Sequence, residues 1–151
     1  MSGLLSPELL ANIGKTSAPR LELVTRKDIR KYAIATQQRE RRFLDGDEAP
    51  PMFYLALFWP VPENDLLSPD GVAIDPLLPE FPLKRAMAGG LHIDYHRSIH
   101  PGDVLQATRE LCAIYQKEGS SGPLIFYEIL MRVVNERGEP VVTEKTTRIL
   151  R

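Results

Sequence analysis

The sequence predicts an α+β fold in which one antiparallel sheet packs on a buried helix. Three observations carry that prediction. "APPMFYLALFWP" is the most apolar stretch, bounded by prolines at Pro51 and Pro60 and apolar all round, as a buried helix of about ten residues would be. After Gly89-Gly90 come four segments rich in β-branched and aromatic residues: "GLHIDYHRSI", "DVLQATRELCAIYQKEG", "PLIFYEILMRVVNERG" and "PVVTEKTTRIL". Their separators, "HPGD", "GSSG" and "NERGEP", are turn chemistry, with Asn135 and Asp103 placed to bond the local backbone.

Along the chain, Ser6 can cap a short opening helix with Pro7 at its first position and Gly14 as its stop. "LELV" reads as a strand. Thr25 then caps a second helix, with Asp28 at the positive end of its dipole and Ile29, Tyr32, Ala33 and Thr36 on one face. From Ala49 to Leu83 prolines are dense, and beyond the apolar segment neither helical nor strand period is visible. This stretch is too apolar for a linker: Leu66, Leu67, Ile74, Leu77, Leu78 and Phe81 all need cover, so it is expected to lie as a flap over the domain or a partner. The four closing strands, joined by short connections, are expected to form a meander.

At 151 residues the chain fits one domain, residues 1–151, with enough mass for a core without disulfides. Nineteen basic and 20 acidic residues are intermixed, which argues against a nucleic-acid surface; "TRKDIRK" and "RERR" read as solvated helix faces. No apolar run is long enough to span a bilayer, the N-terminus lacks a leader pattern, and the single Cys112 suits a reducing cytoplasm. Within an alternating segment Cys112 reads as a small packed side chain, not a nucleophile.

His92, His96 and His100 are the only histidines. On a strand, residues four apart stand roughly 13 Å from each other, so no two can share a metal ion. No metal site is expected. One histidine could still serve as a general base. Asp94 is expected on the face opposite His92 and His96, leaving neither imidazole an orienting carboxylate, and His100 reads as an exposed turn residue.

The ordered set "IGKTSAPRLELVTRKDIRKYAIAT", "APPMFYLALFWP", "MAGGLHIDYHRSIHPGDVL" and "QKEGSSGPLIFYEILMRVVNERGEPVVTEKTTRILR" resembles the MaoC-like hydratase/dehydratases. It is most similar to their N-terminal-domain branch, including mesaconyl-CoA hydratase-type proteins and the non-catalytic subunits of mycobacterial-type hydroxyacyl dehydratases. The resemblance spans Ile13 to Arg151. It implies a hotdog fold, with the sheet wrapped around the "PPMFYLALFWP" helix, paired hotdog domains, and a coenzyme A thioester as ligand with no further cofactor. In active members an aspartate and a histidine in a G-D-x-N-P-x-H motif move water across an enoyl double bond.

The corresponding stretch here reads "QQRERRFLDGDEAPP". Gln37 and Gln38 cannot take a proton at neutral pH, and Asp45 and Asp47 lie elsewhere in the pattern. No catalytic residue is therefore assigned. The resemblance implies a helper subunit that shapes the acyl pocket of a catalytic hotdog partner, with Pro51, Met52, Phe58, Trp59, Gly90 and His96 as candidate lining. Arg39, Arg41, Arg42, Lys84 and Arg97 are candidates for the coenzyme A phosphates. Two other readings stay open: a homodimeric acyl-CoA-binding or regulatory protein, and a stand-alone hydratase using His92 or His96.

Overall fold

The computed structural model describes residues 3–151. Helices α1 (Pro7–Leu10), α2 (Arg26–Ala35), α3 (Arg41–Leu44) and α4 (Phe53–Leu57) accompany strands β1 (Arg20–Leu23), β2 (Ala86–Tyr95), β3 (Val104–Gly119), β4 (Gly122–Val134) and β5 (Pro140–Leu150). The five strands form one antiparallel sheet that curves around α4, the hotdog arrangement.

Capping follows the sequence. Ser6 Oγ accepts from Leu9 N at 3.1 Å, and Thr25 Oγ1 accepts from Asp28 N at 3.1 Å. On α2, Ile29 and Ala33 are fully buried. The hairpin between β4 and β5 turns on Asn135, whose Oδ1 accepts from the N–H groups of Arg137 and Glu139 at 3.0 Å each. Asp103 Oδ2 likewise accepts from His100 N at 2.9 Å.

The strand order is β1-β3-β4-β5-β2, so the four long strands are not a simple meander. Only β3, β4 and β5 follow one another. From Tyr95 the chain crosses the end of the sheet, burying Ile99 on the way, and enters β3 beyond β4 and β5. Pairing across β2 and β5 keeps the small residues Ala86 and Ala88 at the free edge, where a bulge at Gly89 shifts the register.

The central helix is shorter than the sequence predicts. Pro50 and Pro51 bring no N–H, Phe53 N bonds back to Pro50 O at 2.9 Å, and Pro60 forces its predecessor away from helical geometry. Phe53, Tyr54 and Phe58 turn into the sheet and are buried. Met52, Ala56 and Trp59 face away, and Trp59 is 68 % exposed. The segment is thus buried on one side and open on the other.

Because α4 is short, two bodies fill the concave face of the sheet. Phe53, Tyr54 and Phe58 meet Leu105, Met131, Val133 and Val142 in one cluster. The flap supplies the other, laying Leu77 and Phe81 on Leu111, Ile125, Tyr127 and Leu150. Phe81 stacks on Tyr127 at 5.2 Å between ring centroids. The flap is fixed by Asp75, which accepts from Arg109 Nη2 at 2.6 Å and Nη1 at 3.2 Å. Leu66 and Ile74 find no such cover and stay exposed. No helix among the described residues is long and apolar enough to cross a membrane.

Candidate functional site

The chain entering α4 and the chain leaving β2 run side by side, joined by Ala49 N to Ile99 O at 2.8 Å. Between them lies a cleft of about 240 Å³, walled by Pro50, Pro51, Tyr95, His96 and Arg97 and floored by Val142. His96 Nε2 is 3.0 Å from Thr143 Oγ1. Arg97 is ion-paired with Glu139, and Glu48 at the rim with Arg42 at 3.1 Å.

Of the residues the sequence singles out, Pro51, His96 and Arg97 come together in this cleft. Phe58 packs in the core, while Met52 and Trp59 lie on the open side of α4. Gly90 faces outward beside Thr147, on the convex side of the sheet. The basic candidates are mostly engaged: Arg41 with Asp45, Arg42 with Glu40 at 2.8 Å, and Lys84 with Glu80 at 2.9 Å. Arg39 is exposed and has no ion pair among the described residues.

Asp94 is not opposite the histidines. Residues two apart on a strand share a face, and Asp94 Oδ1 stands 3.3 Å from His92 Nε2. This pair points away from the central helix, with side chains 71 % and 57 % exposed. Where the resemblance looks for an acid and a base, the chain just past α2 turns at Gln37, held at φ +56°, and Gln38 N bonds back to Ala33 O at 2.9 Å. Burial pushes the Cys112 thiol up, away from the thiolate a nucleophile needs.

Beneath α4 lies a polar contact that the sequence reading missed. Glu144, on β5, is only 6 % exposed and accepts a hydrogen bond from the Tyr54 hydroxyl. Burial raises the Tyr54 hydroxyl well above the ordinary phenol range, and the Glu144 carboxylate adds to the effect. Tyr95 meets Tyr54 edge to face at 6.3 Å and so connects this pair to the cleft. The signal was present in "PVVTEKTTRIL", where period-two alternation sets Glu144 on the face of Val142 and Leu150.

The model of the family described as FAS1-like, dehydratase domain region, matches residues 11–144. The chain belongs to that family. No curated protein matches it. Among solved structures, a chain of the ChsH1–ChsH2 complex of Mycobacterium tuberculosis is similar at 16 % identity and TM-score 0.67, over 95 % of this chain and 86 % of that one. A MaoC-like dehydratase from Rhodospirillum rubrum is 17 % identical at TM-score 0.59, over 91 % of each chain. A chain of the HadBC 3R-hydroxyacyl-ACP dehydratase complex of M. tuberculosis is 18 % identical at TM-score 0.57, over 91 % of this chain and 96 % of that one. At these identities the FAS1-like dehydratase chain shares with them its fold.

Proposed function

We propose that this FAS1-like dehydratase chain is a non-catalytic subunit of a heteromeric (R)-specific enoyl-CoA hydratase or 3-hydroxyacyl-CoA dehydratase, of the N-terminal-domain type. Its role is to shape the acyl-thioester pocket while a hotdog partner supplies the aspartate and histidine. The observation that carries this reading is the end of α2. Adding water to an enoyl thioester needs a carboxylate and an imidazole on one water, and the segment at that place offers Gln37, in a left-handed turn, and Gln38. The imidazole that does meet a carboxylate, His92 with Asp94, is on the outer face.

The thioester carbonyl also needs N–H donors. Pro50 and Pro51 provide none at the start of α4, and Phe53 N is spent on Pro50 O. The open side of α4 and the free edge of β2 offer apolar surface and unpaired backbone for a partner. Two of the similar solved structures are themselves two-component complexes, which accords with this reading.

Co-purification from the native host tests it. A second hotdog protein carrying the aspartate-histidine motif, with crotonyl-CoA hydration by the pair and none by this chain alone, is the expected result. Turnover by the isolated chain, abolished by His96→Ala or His92→Ala, would overturn it. A stable homodimer that binds thioesters without hydrating them would replace it with a binding protein.

A further inference from the structure

The concave face of the sheet carries three arginines, and they are treated differently: Arg20 on β1, level with Ala107, donates to Phe58 O at 2.9 Å. Arg109 on β3 is held by Asp75 through two hydrogen bonds. Arg148 on β5 is partly buried, yet among the described residues it has no ion pair and no side-chain hydrogen bond. Register fixes where it stands. On β5 it shares a face with Leu150 and Glu144; across the ladders it faces Tyr127 on β4 and Ala88 on β2. Burial pushes the Tyr127 hydroxyl up, and the charge of Arg148 is the strongest influence pulling the other way, so the two groups are within electrostatic reach.

Phe81 of the flap covers Tyr127, but the cover ends there. Beyond it, Ala88 and Leu91 on the inner side of β2 are exposed, Leu91 to 52 %. Arg148 therefore lies at the boundary between the aromatic stack and an uncovered strip of sheet. A guanidinium partly withdrawn from water and paired with no acid loses some of its solvation, and this position would otherwise suit an apolar side chain. An oxyanion placed against its fork recovers the lost solvation with two parallel hydrogen bonds.

We infer that Arg148 is the anchor of an oxyanion-binding site on the concave face, receiving a carboxylate or phosphate group of a ligand laid along the strip between β5 and β2. The inference deepens the thioester reading: the oxyanion is either a carboxylate at the far end of the acyl group or a phosphate of its carrier. Arg148 here is a binding residue with no part in proton transfer.

The test uses the full chain, Arg148→Leu and Arg148→Lys, titrated with glutaryl-CoA, valeryl-CoA, coenzyme A, glutarate and inorganic phosphate. Affinities are read by calorimetry, and the Nε–Hε resonance that vanishes in Arg148→Leu is followed by NMR. Glutarate or phosphate should move that resonance, and Arg148→Leu should weaken the preferred thioester by about tenfold, the loss of one strong charge-assisted contact. Arg148→Lys should retain part of the affinity. If only the preference for glutaryl-CoA over valeryl-CoA is lost, the oxyanion is the acyl carboxylate; if all three coenzyme A compounds weaken together, it is a carrier phosphate. Free anions that move the resonance while no thioester binds would keep the site and dismiss the thioester reading. A resonance that responds to nothing, with unchanged affinities in Arg148→Leu, overturns the inference. So does a variant that loses only its protein partner, since Arg148 would then be half of an interchain ion pair.

Discussion

Asp75, in the middle of the proline-rich flap, grips Arg109 of β3 with both carboxylate oxygens, at 2.6 and 3.2 Å. This contact ties an otherwise irregular segment to the sheet. Both side chains keep some solvent access, so the lower range for a charge-assisted bond applies. Asp75→Ala is expected to cost about 1–2 kcal/mol in denaturant unfolding and to speed proteolysis within residues 61–83. Unchanged cleavage of the flap would show that the apolar contacts alone hold it.

Those apolar contacts are concentrated at Leu77 and Phe81, the buried side chains of the flap. Phe81→Ala removes a ring stacked on Tyr127 and should destabilise the fold by about 3–5 kcal/mol. Ile74→Ala, at an exposed position of the same flap, should fall within about 0.5 kcal/mol of the parent. Equal effects at the two sites would contradict the division between covered and uncovered flap residues.

Tyr54 and Glu144 set an alkaline limit. Burial first, and the neighbouring carboxylate second, raise the folded-state pKa of Tyr54 above the unfolded value of about 10. The sign follows from proton counting: above that pH the unfolded chain holds fewer protons than the folded one, so stability is complete below about pH 10 and falls as pH rises. The melting temperature should therefore drop more steeply above pH 10 in the parent than in Tyr54→Phe. Near neutrality Tyr54→Phe leaves a buried carboxylate without its donor and should cost about 1–3 kcal/mol. Parallel alkaline slopes would argue that another tyrosine governs the limit.

At the free edge, Gly89 and Gly90 look interchangeable in sequence and are not so in space. A Cβ on Gly89 would sit 2.8 Å from Ile149 Cγ1, whereas one on Gly90 would have nothing closer than 3.9 Å. Gly89→Ala is expected to lose about 1–3 kcal/mol and Gly90→Ala well under 1, read as shifts in unfolding midpoint. A tolerated Gly89→Ala would mean that the bulge can slide.

The parts of the fold legible in sequence were those set by local chemistry. Ser6 and Thr25 announced caps, Asn135 and Asp103 announced turns, and alternation announced long strands because each inner position must be apolar. Pairing order was not legible, since nothing local to "HRSIHPGD" says that β2 joins β5 and not β3. The length of α4 was overread because an apolar run reports dryness, and Met52 and Trp59 stay exposed within this chain. The candidate site was partly legible: Pro51, His96 and Arg97 do converge, but a two-residue spacing misassigned to opposite faces hid the His92–Asp94 pair. Glu144 and Arg148 escaped notice because charged residues in an alternating strand default to the solvent side, and here they do not.

The crossing from β2 to β3 bears on assembly order. The β3–β4–β5 ladder closes through tight turns, whereas Tyr95 must find Val142, and Ala86 must find Leu150, across most of the intervening hairpin sequence. Distant pairings of this kind lag behind local ones in chain collapse. Strand β2 thus docks on an already closed β3–β4–β5 ladder, β1 follows with partners on β3 that are more distant still, and a companion protein that zips onto the open margin of β2 would act as a chaperone for its completion as well as a permanent neighbour.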